Sequence, residues 1–382
     1  MIRAILLILV LSFQINAQYD KKMIDKIGEQ LLNEIEIFGN EFPEYTVKGK
    51  WLLRAEVNWF AGFPGGSLWQ IFHITGDSTY YNLALKEADK LIPYQNLDNT
   101  HDLGFIFIPT CVEAYKVSGI EKYRDVSIQA SRMLLKRFNK NGKFIRAWGK
   151  LGTPKKAGLM IIDTMMNLEL LFWAYQQTND IEFYNIAVQH AETTMKEIVR
   201  EDYSSYHVIE FDVETGEVLK KRTKQGFSDT STWARGQAWG IYGFAKTYFY
   251  THDEKYLDVS KKMAKYFIAH LPKDHVPYWD LTLSGNDVVR DASAGAIAAS
   301  GMYILSSIIE DKKEKKYFSS LAEKIVSSLN DSYLFTNSKR AMEEGILLHT
   351  VYNHNADKGV DESYPCGDFY YIEALRKYDQ SQ

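Results

Sequence analysis

Two carboxyls, one arginine and a set of tryptophans carry the chemistry legible in this sequence. Asp163 lies in G-L-M-I-I-D-T-M-M-N-L-E-L-L-F-W-A-Y, in the first turns of a helix with apolar residues on both sides. Burial penalises the charged form of a carboxyl, so such a group keeps its proton near neutral pH and suits general-acid work. A buried aspartate that caps or bonds a neighbouring helix fits the same pattern. Asp102, in N-T-H-D-L-G-F-I-F, takes the corresponding place on the preceding apolar helix. By itself it complements a helix dipole. Beside Asp163 it becomes half of a carboxyl dyad, in which two like charges drive the protonation states apart.

The third group lies in K-R-T-K-Q-G-F-S-D-T-S-T-W-A-R-G-Q-A-W-G-I-Y-G, from Lys221 to Gly243. Ser231 or Thr232 reads as an N-cap, with the helix running from about Trp233 to Thr251. Arg235 then sits in the first turn, where the dipole disfavours a cation, and it needs an anionic neighbour. Trp239 follows at i+4 on the same face. Planar cation plus aromatic plate suits a carboxylated sugar; an arginine paired with an aspartate, beside a core tryptophan, fits the spacing equally. Trp59, Trp69, Trp148 and Trp239 are candidate sugar platforms or core residues. His207 and Gln225 are candidate partners for sugar hydroxyls. Asp291, in V-V-R-D-A-S-A-G-A, reads as a cap ahead of a catalytic group, and Lys358 is placed to reach an anion.

These groups need elements to position them. Six stretches are apolar all round: roughly 64–74, 103–117, 160–177, 235–250, 294–309 and 368–378. They alternate with six that have one polar face: roughly 22–38, 79–92, 121–138, 181–199, 254–270 and 315–329. An apolar set alternating with an amphipathic set implies an inner ring wrapped by an outer one, an all-α (α/α)6 toroid. The recurring tyrosines Tyr81, Tyr123, Tyr184, Tyr256 and Tyr317 are 42, 61, 72 and 61 residues apart, too uneven for a solenoid. Inner-to-outer connections are short and outer-to-inner ones long, so one face carries the elaborate loops and the inner-helix N-termini, and function belongs there. A hairpin is expected over Tyr206–Phe211 and Glu217–Thr223, bringing His207 and Thr223 beside Arg235. A second is expected in H-T-V-Y-N-H-N-A-D-K-G-V-D-E-S-Y.

Arg3, the apolar run Ala4–Phe13 and Ile15-Asn16-Ala17 read as a signal peptide over 1–17, cleaved before Gln18, so an exported, periplasmic protein is expected, with 18–382 as one domain. A net charge of −4 with interspersed signs argues against nucleic acid as a partner, and no second apolar stretch reaches bilayer length. Aromatics at 14% fit carbohydrate stacking or a large helical core. Cys111 and Cys366 are expected as buried free thiols. No Cys/His cluster has zinc spacing, so neither metal nor cofactor is expected.

Together, N-W-F-A-G-F, H-D-L-G-F, I-I-D-T-M-M-N, W-A-R-G-Q-A-W-G-I-Y-G, K-G-V-D-E-S and G-D-F-Y-Y-I-E-A-L resemble the unsaturated glucuronyl hydrolases of glycoside hydrolase family 88, over nearly the whole chain after residue 17. The resemblance implies Asp163 as general acid/base and Asp102 as second carboxylate. It implies Thr223, Arg235 and Trp239 in substrate contact, Trp148, His207 and Gln225 in the pocket, and Lys221 contributing through its backbone. It implies an anionic oligosaccharide left by a polysaccharide lyase as substrate, and hydration of the vinyl ether in its terminal 4,5-unsaturated uronate. Two departures stand out. G-F-P replaces the G-F-W of many members, leaving Trp59 to supply the missing stacking surface. Asn353 and Ala356 stand where members favouring sulfated chondroitin fragments have serines, while Lys358 is kept. The other readings are an unsaturated rhamnogalacturonyl hydrolase, another (α/α)6 glycosidase or an epimerase, and, in a different class, a non-catalytic oligosaccharide binder with no use for a buried Asp163.

Overall fold

The computed structural model describes residues 21–381; the expected signal peptide lies outside them. Among the described residues the inner helices are Phe63–Thr75, a helix in three parts (Leu103–Phe107, Ile108–Val112, Glu113–Ser118), Thr164–Thr178, Ala234–Thr251, Ala292–Ile308 and Pro365–Ser381. The outer helices are Lys21–Phe38, Ser78–Leu91, Glu121–Leu135, Ile181–Glu197, Glu254–Ala269 and Lys312–Ser332. Each inner helix packs on the next, and Pro365–Ser381 packs back on Phe63–Thr75, closing the ring of an (α/α)6 toroid. Continuous burial from Ala292 to Ser306 shows why inner helices carry no polar face.

The short turns between inner and outer helices share a local cause. Inner helices end on left-handed residues at Gly76, Gly119, Asn179 and His252. Outer helices then open on Asp77, Asp180, Asp253 and Asp311, each accepting a bond from a backbone N–H of its own first turn. The acidic residues ahead of these outer helices are thus a set of N-caps. Cys111 and Cys366 are buried and unbridged. No helix among the described residues is long and apolar enough to cross a membrane.

The long loops gather on the face holding the inner-helix N-termini. Both expected hairpins form there, as Val208–Phe211 with Val218–Arg222 and as Thr350–Asn353 with Lys358–Glu362. Three expectations are corrected. The apolar run expected to open a helix at 160 is instead a strand, Leu159–Ile161, paired with Val208–Phe211, and the helix starts at Thr164. The helix carrying Arg235 is capped by Trp233, not by Ser231 or Thr232. The second inner helix contains a π turn at Ile108–Val112, with Pro109, a residue without an N–H for the α ladder, at its second position.

Candidate active site

Asp102 and Asp163 are the N-cap residues of adjacent inner helices, and neither side chain caps its own helix. Their proximity follows from packing. A Cβ on Gly104 would stand 2.5 Å from Asn167 Cα, so only glycine lets these two helices approach so closely. Asn167 Oδ1 accepts from the Phe105 N–H (3.0 Å), while its Nδ2 donates to Asp163 O (3.3 Å). Thr164 Oγ1 lies 2.8 Å from His101 Nδ1. Two side-chain links therefore join residues 101–105 to 163–167. The Thr100 hydroxyl donates to the Asp102 carboxylate, and His101 Nε2 lies 3.2 Å from its other oxygen.

Asp163 is 9% exposed, and its Oδ2 is buried without a hydrogen-bond partner. Burial raises its pKa from the ordinary 3.8 to about 7; the charge of Arg235 opposes the shift and that of Asp102 adds to it. Facing it is His207, whose Nε2 is also buried and unpaired, 3.9 Å from Asp163 Oδ2. His207 Nδ1 accepts from the backbone N–H of Gln225 (3.2 Å), so the neutral ring carries its proton on Nε2. Burial first, then the charges of Arg235 and Lys224, hold this imidazole well below its ordinary pKa. A protonated acid and a neutral N–H donor thus confront one another with polar atoms unspent. Buried polar groups are paired in nearly all folded proteins, so two unpaired ones facing each other beside a second carboxyl make a candidate ligand site.

The arginine follows the second of the two readings its spacing allowed. Arg235 is 1% exposed, and Nη1 lies 3.3 Å from Asp291 while also donating to Val351 O. Nη2 donates to Tyr352 O (2.7 Å) and Gln225 Oε1 (2.6 Å). The guanidinium stacks on Trp233 at 4.4 Å, not on Trp239. Asp291 caps its helix through the Ser293 and Ala294 N–H groups, as expected, and is also the anion Arg235 required. Trp239 is fully buried against Phe105 and Tyr370, and Trp69 against Phe72 and Tyr81, so neither offers a face to a ligand. On an inner helix every face is interior, and i+4 spacing alone does not select the side that opens to solvent.

The remaining candidates divide. Trp59 is half-buried among Phe60, Phe63, Phe105 and Tyr352, and Trp148 is half-buried at the rim. Gln225 reaches the site through its bond to Arg235. Thr223 Oγ1 accepts from the Gly226 N–H (2.8 Å), shaping the turn that carries Gln225. Lys221 turns its side chain to Glu197 (3.2 Å) and keeps its backbone in the strand ladder opposite Ile209. Lys358 is exposed on the second hairpin. Sequence reasoning missed His101, Thr164 and Asn167, which link the two carboxyl-bearing helices, Tyr352 in the Trp59 wall, and Lys224, whose ammonium lies 4.2 Å over Trp148. The adjacency of His101 and Asp102 was the one signal available; a lysine in a polar loop carries none.

The model of Glycosyl Hydrolase Family 88 matches residues 36–276. The unsaturated chondroitin disaccharide hydrolase of Streptococcus pneumoniae is 38% identical over 362 residues, 93% of this chain and 90% of that one. The solved unsaturated glucuronyl hydrolase of Bacillus sp. GL1, described as responsible for the degradation of glycosaminoglycan, superposes with a TM-score of 0.87 at 35% identity, over 92% of this chain and 95% of that one. A mutant of the Streptococcus agalactiae unsaturated glucuronyl hydrolase, solved with dGlcA-GalNAc6S, gives a TM-score of 0.81 at 35% identity, over 94% and 90%.

Proposed function

The chain belongs to glycoside hydrolase family 88 and is a glycoside hydrolase, and from that premise we propose that it removes the terminal 4,5-unsaturated uronate from oligosaccharides left by polysaccharide lyases. The observation that carries this reading is Asp163: buried, protonated up to about pH 7, with an unpaired oxygen facing the His207 N–H. An electron-rich vinyl ether needs a proton on carbon, and a neutral carboxyl in an apolar setting is the group to give it. Asp163 transfers its proton to carbon 4, and the alkene pair forms the C–H bond. Water bonds to carbon 5 and returns a proton to Asp163. The resulting hemiketal opens to a ketone at carbon 5, and the hemiacetal left at carbon 1 expels the remaining saccharide.

His207 Nε2–H donates to a substrate oxygen throughout, because its low pKa keeps it neutral. Asp102, fixed by Thr100 and next to His101, steadies positive charge developing on the ring. Trp59 and Trp148 supply aromatic walls. Arg235 offers its charge from beneath, and a uronate carboxylate would take the place of the Gln225 amide on Nη2. The carbon attacked by water is not the anomeric one, so the carboxyl-spacing rule for retaining and inverting glycosidases does not apply.

The test is isotopic. In heavy water, deuterium enters carbon 4 of the released keto acid; in oxygen-18 water the earliest product carries label at carbon 5, as the conjugated ultraviolet absorbance disappears. Oxygen label at carbon 1 with the alkene intact at cleavage, or equal turnover of a saturated glucuronide, overturns the reading. The apolar run at 4–13 supports an exported enzyme, tested by whether the secreted chain begins at Gln18.

A further inference from the structure

We propose that the axial cavity at the back of the toroid, behind the Phe63 and Phe105 rings, is a second binding site, and that it takes a small monocarboxylate with a compact apolar body through Arg376.

All six inner helices line this cavity of about 170 Å³. Lys116, Lys246, Ile304 and Arg376 come from the C-terminal halves of their helices, so it lies toward the end of the toroid away from the elaborate loops. Neither Asp102, Asp163 nor His207 lines it. Its inner wall is apolar, with Phe63, Phe105, Met166 and Ile304, and the first two also pack on Trp59 (ring centroids 5.9 and 5.3 Å apart). The cavity therefore backs onto an aromatic wall of the catalytic site.

Charge decides what class of ligand fits. Lys116 lies 3.5 Å from Glu113, Lys246 2.7 Å from Glu169 and Lys377 2.9 Å from Glu373. Burial works to raise Glu113 and Glu373, yet both are held below the ordinary carboxylate value, Glu113 by the His73 bond and Lys116, Glu373 by Lys377 and Ser300, with Arg376 the last contributor to each. Arg376 is thus a fourth cation against three carboxylates that already have nearer partners. No carboxylate lies within salt-bridge distance of it among the described residues. Its Nε donates to Gln70 Oε1, which leaves both Nη groups without a partner among the described residues, and a guanidinium edge of this kind matches a carboxylate. Helix dipoles do not account for the surplus: their pull is confined to the last turn, and Lys246, Arg376 and Lys377 stand a full turn or more before the ends of their helices.

Size decides the body of the ligand. An apolar cavity of ~150 Å³ takes a benzene ring, so one six-carbon ring fits against Phe63 and Phe105 with its carboxylate at Arg376.

Benzoate is the probe. In calorimetry on the full chain it is expected to bind wild type at one site, with a Kd of about 1 mM or tighter, the scale for a ligand of this size. R376M should weaken it by about 10-fold or more and R376K recover part of that loss, with far-ultraviolet circular dichroism showing that both variants keep their helices. Benzyl alcohol, which has the ring without the charge, should bind wild type about 10-fold more weakly or worse, an arm that needs no variant. Absence of benzoate binding, equal binding of benzyl alcohol, or undiminished binding in R376M and R376K overturns the assignment. So does displacement of benzoate by an unsaturated disaccharide in D163N, which would put ring and carboxylate in the catalytic site. Inorganic phosphate binding as tightly as benzoate would leave the apolar wall without a role and overturn the ligand class.

Discussion

At the residue scale, Asp163 sets two predictions that pull in opposite directions. Asp163→Asn preserves shape but removes the proton, and kcat should fall by roughly 10²- to 10⁴-fold, the usual worth of a general acid. In wild type, the rate should decline as pH rises through about 7, where Asp163 ionises. Stability moves the other way. Because the native pKa lies above the ordinary 3.8, the folded chain holds a proton that the unfolded chain has released. The cost is absent below about pH 4, grows between there and about 7, and is complete above. Asp163→Asn removes it, so the inactive variant should melt higher than wild type at pH 8, by at most about 4 kcal/mol, and equally at pH 4. A calorimetric series across that range checks the sign; a variant less stable at pH 8 contradicts it. The anomaly of this aspartate was legible because carboxyls are rare among uninterrupted apolar residues. His207 was legible as a candidate partner for sugar hydroxyls; which of its nitrogens carries the proton was not, because that depends on which one the Gln225 N–H occupies.

At the element scale, the site is a by-product of how closely two inner helices pack. Gly104→Ala would press a methyl into the Asn167 backbone, and the helices must part. Overpacking of this kind costs about 1–3 kcal/mol, and a displacement near 1 Å between catalytic groups costs roughly 10²-fold in rate. Melting temperature and kcat should therefore both drop, with kcat hit harder than a stability loss alone explains. Arg235 fastens another joint, between its helix, the Thr350–Asn353 strand and the Gln225 turn. Arg235→Ala leaves Asp291 buried and unpaired, a loss of about 3–5 kcal/mol. Adding Asp291→Asn should recover part of it, and strict additivity in that cycle would show that the pair is not coupled. The twelve helices were legible because the contrast between all-apolar and one-sided stretches survives in the sequence. The Leu159–Ile161 strand was not, since a short apolar run running straight into a helix has no period of its own. Trp239 stayed open between sugar plate and core for a related reason: spacing gives a direction around the helix axis, and only the ring decides what lies there.

At the scale of the whole molecule, a second buried acid pair acts behind the site. Glu34, on an outer helix, and Asp368, in the first turn of the last inner helix, are both pushed upward in pKa, chiefly by burial; the Asp368 charge adds to the shift at Glu34. Asp368 Oδ1 accepts from the Leu347 N–H (2.6 Å), so this pair fastens the segment leading into the second hairpin. Here too the native state holds protons the unfolded chain releases, and stability is lost as pH rises toward and past neutrality. Buried histidines act at the other end. His190 is lowered to about 3 and His101 below its ordinary value, both mainly by burial. Unfolded histidines gain protons below about 6.5 that these cannot, so their cost appears on acidification. Wild type should accordingly be most stable just below neutrality. Glu34→Gln should raise the melting temperature at pH 8 by roughly 2–6 °C, leave it unchanged near pH 4, and leave turnover intact, since Glu34 touches no part of the site. Combined with Asp163→Asn, which shares no partner with it, the gains at pH 8 should add. The double variant should then lose less melting temperature from pH 6.5 to 8 than wild type, keeping the part set by Asp368 and the acid-side loss set by the histidines. A double variant that falls as steeply as wild type on the alkaline side would mean that other groups than Glu34 and Asp163 carry the pH response of the fold.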